Sequence, residues 1–226
     1  MKVAAVVPAY NEERWIGPVL ECLSSSNTVD EIIVVCDGST DNTCEKAAGY
    51  SRVKAIKLPQ NMGKGGAMVA GAKASDAEII MFFDGDLIGL KPSHVEALVR
   101  PVLDGKADMA IGAFRGGRLR TDWAQRIAPY ISGQRAMRRE DFLEIPDLES
   151  TRFGVEVAIG RFARYRKFNI AMVPIMGVTH PMKEEKVGYL RGTVARLKMY
   201  WDIMKLTLNL QSRKSKVESQ KVNADL

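Results

Sequence analysis

Cysteine is scarce in this chain. Cys22, Cys36 and Cys44 are odd in number and form no CxxC pair, which excludes a disulfide scaffold and a zinc ribbon and leaves three small core thiols in a reducing, cytoplasmic setting. Long apolar runs are missing too: no uncharged stretch approaches the roughly 18 residues of a membrane span, so any membrane contact is expected to be peripheral, on the cytoplasmic face. The opening KVAAVVP is too short and wrongly flanked for a signal peptide and reads as a strand. No internal repeat is evident. The glycine patterns GxGxxG after the first strand and GxxxxGK[ST] are both absent, which argues against a dinucleotide fold and a P-loop.

What is present is a large apolar fraction, 46% of 226 residues, enough for one domain with a substantial core. The formal charge of +6 favours an anionic partner. Nucleic acid is not expected, because the basic residues gather in a loop and a tail without interleaved aromatics.

The first half alternates β-rich runs at 3 to 7, 31 to 36, 53 to 58, 78 to 83 and 107 to 114 with helix-like segments at 12 to 26, 41 to 50, 64 to 75 and 93 to 104. This is the pattern of βαβ units: an α/β fold with a mostly parallel central sheet flanked by helices. Gly17 and Pro18 should kink the first helix or delay its start, and Asp41 or Thr40 is the expected cap of the second. Such sheets bind ligands beyond the carboxyl ends of their strands, and polar clusters stand there: PAYNEE after the first strand, DGSTDNT after the second and DGD after the fourth.

Asp84 and Asp86 end an apolar strand, a costly placement unless a cation neutralises them. A hard divalent ion such as Mg2+ or Mn2+ fits, with Gly85 expected to turn the backbone so that both carboxylates face one pocket. Upstream, NMGKGGAM opens a helix with glycines and Lys64, which suits close approach of a phosphate. Asp37 reads either as an acceptor for the N–H of a base or as a turn or cap aspartate. Of the two histidines, His94 reads as an ordinary helix-start residue, and His180 as either a surface residue or a borderline ligand for Mn2+.

Taken in order, VVPAYNEER, EIIVVCDGSTDNT, NMGKGGAMVAGAKAS and EIIMFFDGDL resemble the nucleotide-binding half of family 2 glycosyltransferases with the GT-A fold. The resemblance implies a nucleoside-diphosphate sugar donor, UDP- or GDP-linked, contacted by Pro8, Ala9, Tyr10, Glu12 and Asp37, with Gly63 and Lys64 near the phosphates and Asp84, Gly85 and Asp86 as the DxD. It gives Asp86 as the direct metal ligand and Asp84 as a contact to ribose or Lys64. In the second half, GGRLRTDW, SGQRAMRRE, RFGVEVAIG and MGVTHP resemble segments of glucosyl-3-phosphoglycerate synthases. That likeness implies Arg118, Arg120 and Thr121 in a basic loop that binds a phosphorylated acceptor, Glu156 near the reacting sugar as base or hydroxyl ligand, and His180 completing the metal site. Polyprenyl-phosphate mannose and glucose transferases are resembled as well, less closely.

An anionic acceptor also suits the chemistry, because a phosphate monoester needs positioning more than deprotonation. Arg115, Arg118 and Arg120, with Arg135, Arg138 and Arg139 further on, are the guanidinium groups expected to hold it.

The second half reads as an amphipathic helix from about 151, one or two strands interrupted at Pro174, and a basic, apolar helix at 184–212. That last helix is read either as a core or homodimer helix or as an interfacial helix on anionic lipid. Residues 213–226 read as a disordered basic tail. The domain expectation is therefore 1–183, with a nucleotide-sugar half at 1–115 and an acceptor half at 116–183. The function expected is a metal-dependent hexosyltransferase acting on polyprenyl phosphate; the alternatives are a soluble glucosyl-3-phosphoglycerate synthase-like enzyme and a non-catalytic nucleotide-sugar-binding protein.

Overall fold

The computed structural model describes residues 1–115, 132–151 and 154–181. Nearly all of these fall in one compact unit, Met1–His180. The expected loop residues Arg118, Arg120 and Thr121, the helix at 184–212 and the tail at 213–226 lie outside the described residues.

Among the described residues, seven strands form one sheet in the order β3-β2-β1-β4-β6-β5-β7. They are β1 (Val3–Ala9), β2 (Glu31–Cys36), β3 (Val53–Lys57), β4 (Ile79–Phe82), β5 (Met109–Arg115), β6 (Arg135–Arg138) and β7 (Ile170–Met176). Only β6 runs against the rest: it pairs antiparallel with both β4 and β5, while β1 with β2, β1 with β4, β2 with β3 and β5 with β7 are parallel. The fold is thus the mostly parallel α/β sheet that the alternation of elements predicts.

Helices α1 (Ile16–Ser24), α2 (Thr43–Ala48) and α4 (Pro92–Leu103) cover one face, burying Leu20, Leu23, Ala47, Leu98 and Val102 against the sheet. On the other face lie α3 (Gly63–Lys73), α5 (Arg139–Leu143) and α6 (Val155–Tyr165), contributing Ala67, Met68, Phe142 and Ile159. Strands β1, β2 and β4 are buried on both sides, which is why they read as unbroken apolar runs, whereas the outer strands β3 and β7 are partly exposed. All three cysteines are free and buried.

Two local details differ from the sequence reading, and two sharpen it. Pro174 does not interrupt a strand: β7 runs through it, at the edge of the sheet among the described residues, where a proline is tolerated. β6 was not foreseen, since RAMR is too short and too charged to show a strand period. Thr40 does not cap α2; its N–H donates to Asn11 Oδ1, and Asp41 Oδ1 accepts from Thr43 N at 3.1 Å. The first helix starts late, at Ile16, with Pro18 in the first turn where a missing N–H costs nothing.

Candidate active site

The carboxyl ends of β1, β2 and β4 open onto one cavity of about 690 Å³. Its walls include Pro8, Ala9, Tyr10 and Glu12 from the loop after β1, and Asp37 from the end of β2. Gly63 and Lys64 come from the start of α3, Asp84, Gly85 and Asp86 from the turn after β4, Glu156 from α6 and His180 from beyond β7. Every expected donor, metal and catalytic residue within the described residues therefore faces one space. Asn61, Ala67, Gly154 and Val155 line it too and were not singled out from the sequence.

The two loops at the mouth are knitted together. Asn11, at φ 55°, accepts from Thr40 N at 2.8 Å; Glu12 N donates to Thr43 Oγ1 at 2.8 Å; and Glu13 Oε1 accepts from Asn42 Nδ2 at 3.0 Å. Lys46 Nζ adds a bond to Glu13 O at 2.8 Å. PAYNEE and DGSTDNT are thus one rigid rim, and half-exposed Tyr10 stands on it.

Asp37 resolves toward its cap reading. It is 3% exposed, and its two oxygens accept from Met62 N at 2.6 Å and Gly63 N at 2.9 Å. The carboxylate caps α3 and complements its dipole. Two of the amides that open α3 are thus taken by Asp37. Two glycines of the segment also serve packing. A Cβ on Gly65 would lie 2.2 Å from Leu148 O, and one on Gly66 2.7 Å from Met62 Cβ.

Lys64 is the cation of the cavity floor. Its Nζ lies 2.7 Å from Asp84 Oδ1 and 2.8 Å from Glu156 Oε1. Burial alone would lower the lysine pKa, but the two carboxylates outweigh it and hold the ammonium charged well above its ordinary range. Burial likewise works against the charge on Asp84, and Lys64 first, then His180, override it, so the carboxyl sits far below the usual carboxylate range.

His180 is brought to Asp86 by a short bridge between Ile88 and Thr179, with Ile88 N to Thr179 O at 2.9 Å and Thr179 N to Ile88 O at 3.0 Å. Its Nδ1 is 2.9 Å from Asp86 Oδ1, its Nε2 is 3.8 Å from Asp84 Oδ2, and its ring packs on Phe114 with centroids 5.4 Å apart. Burial disfavours the imidazolium, yet the Asp86 hydrogen bond and the two aspartates raise its pKa. Donor atoms of Asp84, Asp86 and His180 all lie within 4.8 Å of one another, near twice a divalent-ion bond length of about 2.1 Å. Two carboxylates and one imidazole form a borderline-hard set that fits Mn2+ or Mg2+.

Gly85 plays a different part from the one expected. Its φ is not positive, and a Cβ would make ordinary contacts of 3.6 Å with Ala9 and Glu12; the turn does not require glycine, and what the missing side chain provides is room in the cavity. Arg135 and Arg139 are corrected as well. Arg135 is 1% exposed inside the sheet, where burial lowers its pKa to about 10 against the raising effect of Glu156 and Asp84. Arg139 Nε donates to Ala72 O at 2.8 Å, holding the end of α3. His94 is ordinary, as expected: its Nδ1 accepts from Lys91 N at 3.2 Å at the start of α4.

A parallel α/β sheet that gathers a capped helix start, one lysine and an Asp–Asp–His trio at its strand ends has the GT-A architecture. Residues 4–162 match glycosyl transferase family 2, and the chain belongs to that family. Among curated relatives, glucosyl-3-phosphoglycerate synthase of Mycobacterium tuberculosis is 36% identical over 120 residues, covering 50% of this chain and 37% of that protein. Dolichyl-phosphate beta-glucosyltransferase of Drosophila melanogaster is 37% identical over 101 residues, covering 38% and 31%. The match thus spans about a third of the length of each relative. Among solved structures, the Mycobacterium tuberculosis glucosyl-3-phosphoglycerate synthase in complex with Mn2+, UDP and glucosyl-3-phosphoglycerate superposes with a TM-score of 0.64 at 28% identity, covering 80% of this chain and 72% of that one. The same synthase has been solved with Mg2+ and UDP. No helix among the described residues is long and apolar enough to cross a membrane.

Proposed function

We propose that this chain transfers a hexose from a nucleoside-diphosphate sugar, UDP-linked in the first instance, to a phosphate-bearing acceptor. The observation that carries this reading is the single cavity joining the rim of Tyr10 and Glu12 to Lys64 and the Asp84–Asp86–His180 trio.

The base and ribose lie against the rim formed by Pro8, Ala9, Tyr10 and Glu12, with Asp37 beneath. Asp86 and His180, with Asp84 beside them, would hold Mg2+ or Mn2+, which supplies charge neutralisation for the diphosphate when bound. Lys64 places a fixed positive charge on the same side, where negative charge develops as the nucleoside diphosphate leaves. An acceptor oxygen forms the new bond to the anomeric carbon while the bond from that carbon to the β-phosphate oxygen breaks, and the electron pair departs with the nucleoside diphosphate. A phosphate acceptor is already anionic and gives up no proton. A hydroxyl acceptor loses one, and the Glu156 carboxylate, across the cavity on α6, would take it as general base. The acceptor is assigned to Arg118, Arg120 and Thr121.

Polyprenyl phosphate at a membrane surface is the first reading of the acceptor, supported by the apolar, basic sequence at 184–212 and by the dolichyl-phosphate relatives. A small phosphorylated acid is the second, supported by the likeness to the synthase solved with phosphoglyceric acid. The test is turnover of UDP- and GDP-hexoses with Mg2+ or Mn2+ against a panel holding both acceptor types. Product with polyprenyl phosphate alone supports the first reading and product with phosphoglycerate alone the second. Tight donor binding without transfer or donor hydrolysis would leave only a nucleotide-sugar-binding protein. Fractionation with and without residues 184–226 separates membrane attachment from chemistry.

A further inference from the structure

The segment Ser132–Arg135 enters β6 directly beneath the Lys64–Asp84 pair. A Cβ on Gly133 would lie 2.6 Å from Asp84 Oδ2 and 2.7 Å from Lys64 Nζ, so any larger residue there would have to push these two side-chain ends aside. The next residue, Gln134, has no exposed surface; its Nε2 donates to Asp84 Oδ2 at 2.8 Å, and its Oε1 accepts from the Ser132 hydroxyl at 3.0 Å. These two bonds fix which way the amide faces, because turned over it would aim carbonyl lone pairs at a carboxylate. The strap is held from both sides. Gln134 O accepts from Gly112 N at 2.9 Å, and the Arg135 guanidinium donates to Ser132 O at 2.5 Å.

We propose that Gln134 is a positioning residue for the cation site, holding Asp84 Oδ2 from below while Ser132 fixes its amide. The inference rests on the reading of Asp84, Asp86 and His180 as that site. Asp84 is pulled two ways: Oδ1 is bonded to Lys64, and Oδ2 stands 3.8 Å from His180 Nε2. With the Gln134 bond removed, the carboxylate is free to rotate and give both oxygens to Lys64, which takes Oδ2 out of the trio. Hydrogen-bond donors behind a ligating carboxylate orient it and tune its charge, and their loss typically costs about 10- to 100-fold in metal affinity. An amide suits the position better than an acid: a carboxylate at 134 would face Asp84 at hydrogen-bond distance, and one of the two would have to keep a proton.

The test is Mn2+ titration of the full chain without nucleotide, with free Mn2+ followed by electron paramagnetic resonance, for the unaltered protein, Gln134→Met and Ser132→Ala. Thermal unfolding of each is recorded in EDTA. Gln134→Met is expected to weaken the Mn2+ Kd about 10- to 100-fold, and Ser132→Ala to weaken it by less, as the amide loses its anchor. A role confined to packing would lower the melting temperature and leave the Kd of the folded protein unchanged; that result overturns the inference. Should Gln134→Met not fold, Ser132→Ala decides, and an unchanged Kd there is equally fatal. If the unaltered chain binds no Mn2+, the cation-site reading falls and this inference with it. If it binds and both variants match it, only the inference falls.

Discussion

Lys64 on α3 and Glu156 on α6 meet across the cavity with 2.8 Å between Nζ and Oε1, although 92 positions separate them in sequence. The contact ties the start of α3 to the start of α6. It also leaves one ammonium shared by two carboxylates, since the same Nζ serves Asp84 at 2.7 Å.

Removing that ammonium leaves two acids facing each other with their cation gone. Lys64→Met is expected to lower kcat about 100- to 1,000-fold, the usual loss when one preorganised charge at a leaving group is deleted, and to lower the unfolding temperature. Adding Glu156→Gln should restore part of the stability and none of the kcat, with a coupling of about 0.5–3 kcal/mol between the two positions. Denaturant unfolding and steady-state kinetics on the four proteins check this; additive stabilities would remove the pair from the account.

Chelation with EDTA should abolish transfer, and Mg2+ or Mn2+ should restore it. Asp86→Ala is expected to erase both the activity and the stabilisation that Mn2+ gives in thermal unfolding, whereas His180→Ala should weaken the metal response and leave residual turnover. Full activity in Asp86→Ala would refute the assignment of the metal to this trio.

Two glycines should behave in opposite ways. At Gly71 a Cβ would sit 2.5 Å from Val6 Cγ1 and 3.1 Å from Val35 Cγ2, so Gly71→Ala pushes α3 off the sheet and is expected to destabilise by about 1–3 kcal/mol. At Gly85 the same methyl makes ordinary contacts at 3.6 Å, so Gly85→Ala should keep stability within about 0.5 kcal/mol while raising the KM for the donor. Equal stability loss at both positions would count against the close approach of α3 to β1.

The cysteines offer a pH test away from the site. Burial pushes the Cys22 thiol from its ordinary 9.0 up to about 11, and burial together with its neighbour Cys44 pushes Cys36 higher still. The native state therefore holds these protons more tightly than the unfolded chain does. Their contribution to stability is complete below pH 9.0 and is lost as the pH climbs through about 11. At pH 8 a thiol reagent should label Cys22 and Cys36 slowly in the native protein and rapidly in denaturant; equal rates would show that the thiols are open to solvent.

Much of the fold was legible because strand and helix periods are local properties. The five apolar runs of the first half became β1 to β5, and the polar clusters after β1, β2 and β4 mark the strand ends that line the cavity. Tertiary context decided the second half. β6 is short, and its central position rests on pairing with β4 and β5 on either side, which no local period announces. The arginines at 135 and 139 looked like an anion-binding set because sequence reports charge and not burial; one lies inside the sheet and the other holds the end of α3.

The site divides in the same way. The sequence by itself determined its ingredients: the DGD pair, Lys64, Glu156 and His180 are residue types whose chemistry is fixed wherever they fall. Only the tertiary structure decided how they share the work, because hydrogen bonds and fields act over a few ångströms and ignore chain distance. Asp37 turned out to be a helix cap, Gly85 a source of space, and Asp84 a carboxylate held by Lys64 and Gln134. Ser132, Gly133 and Gln134 carry no signal as isolated residues; they matter through their place beneath Asp84, which only the return of the chain through β6 provides.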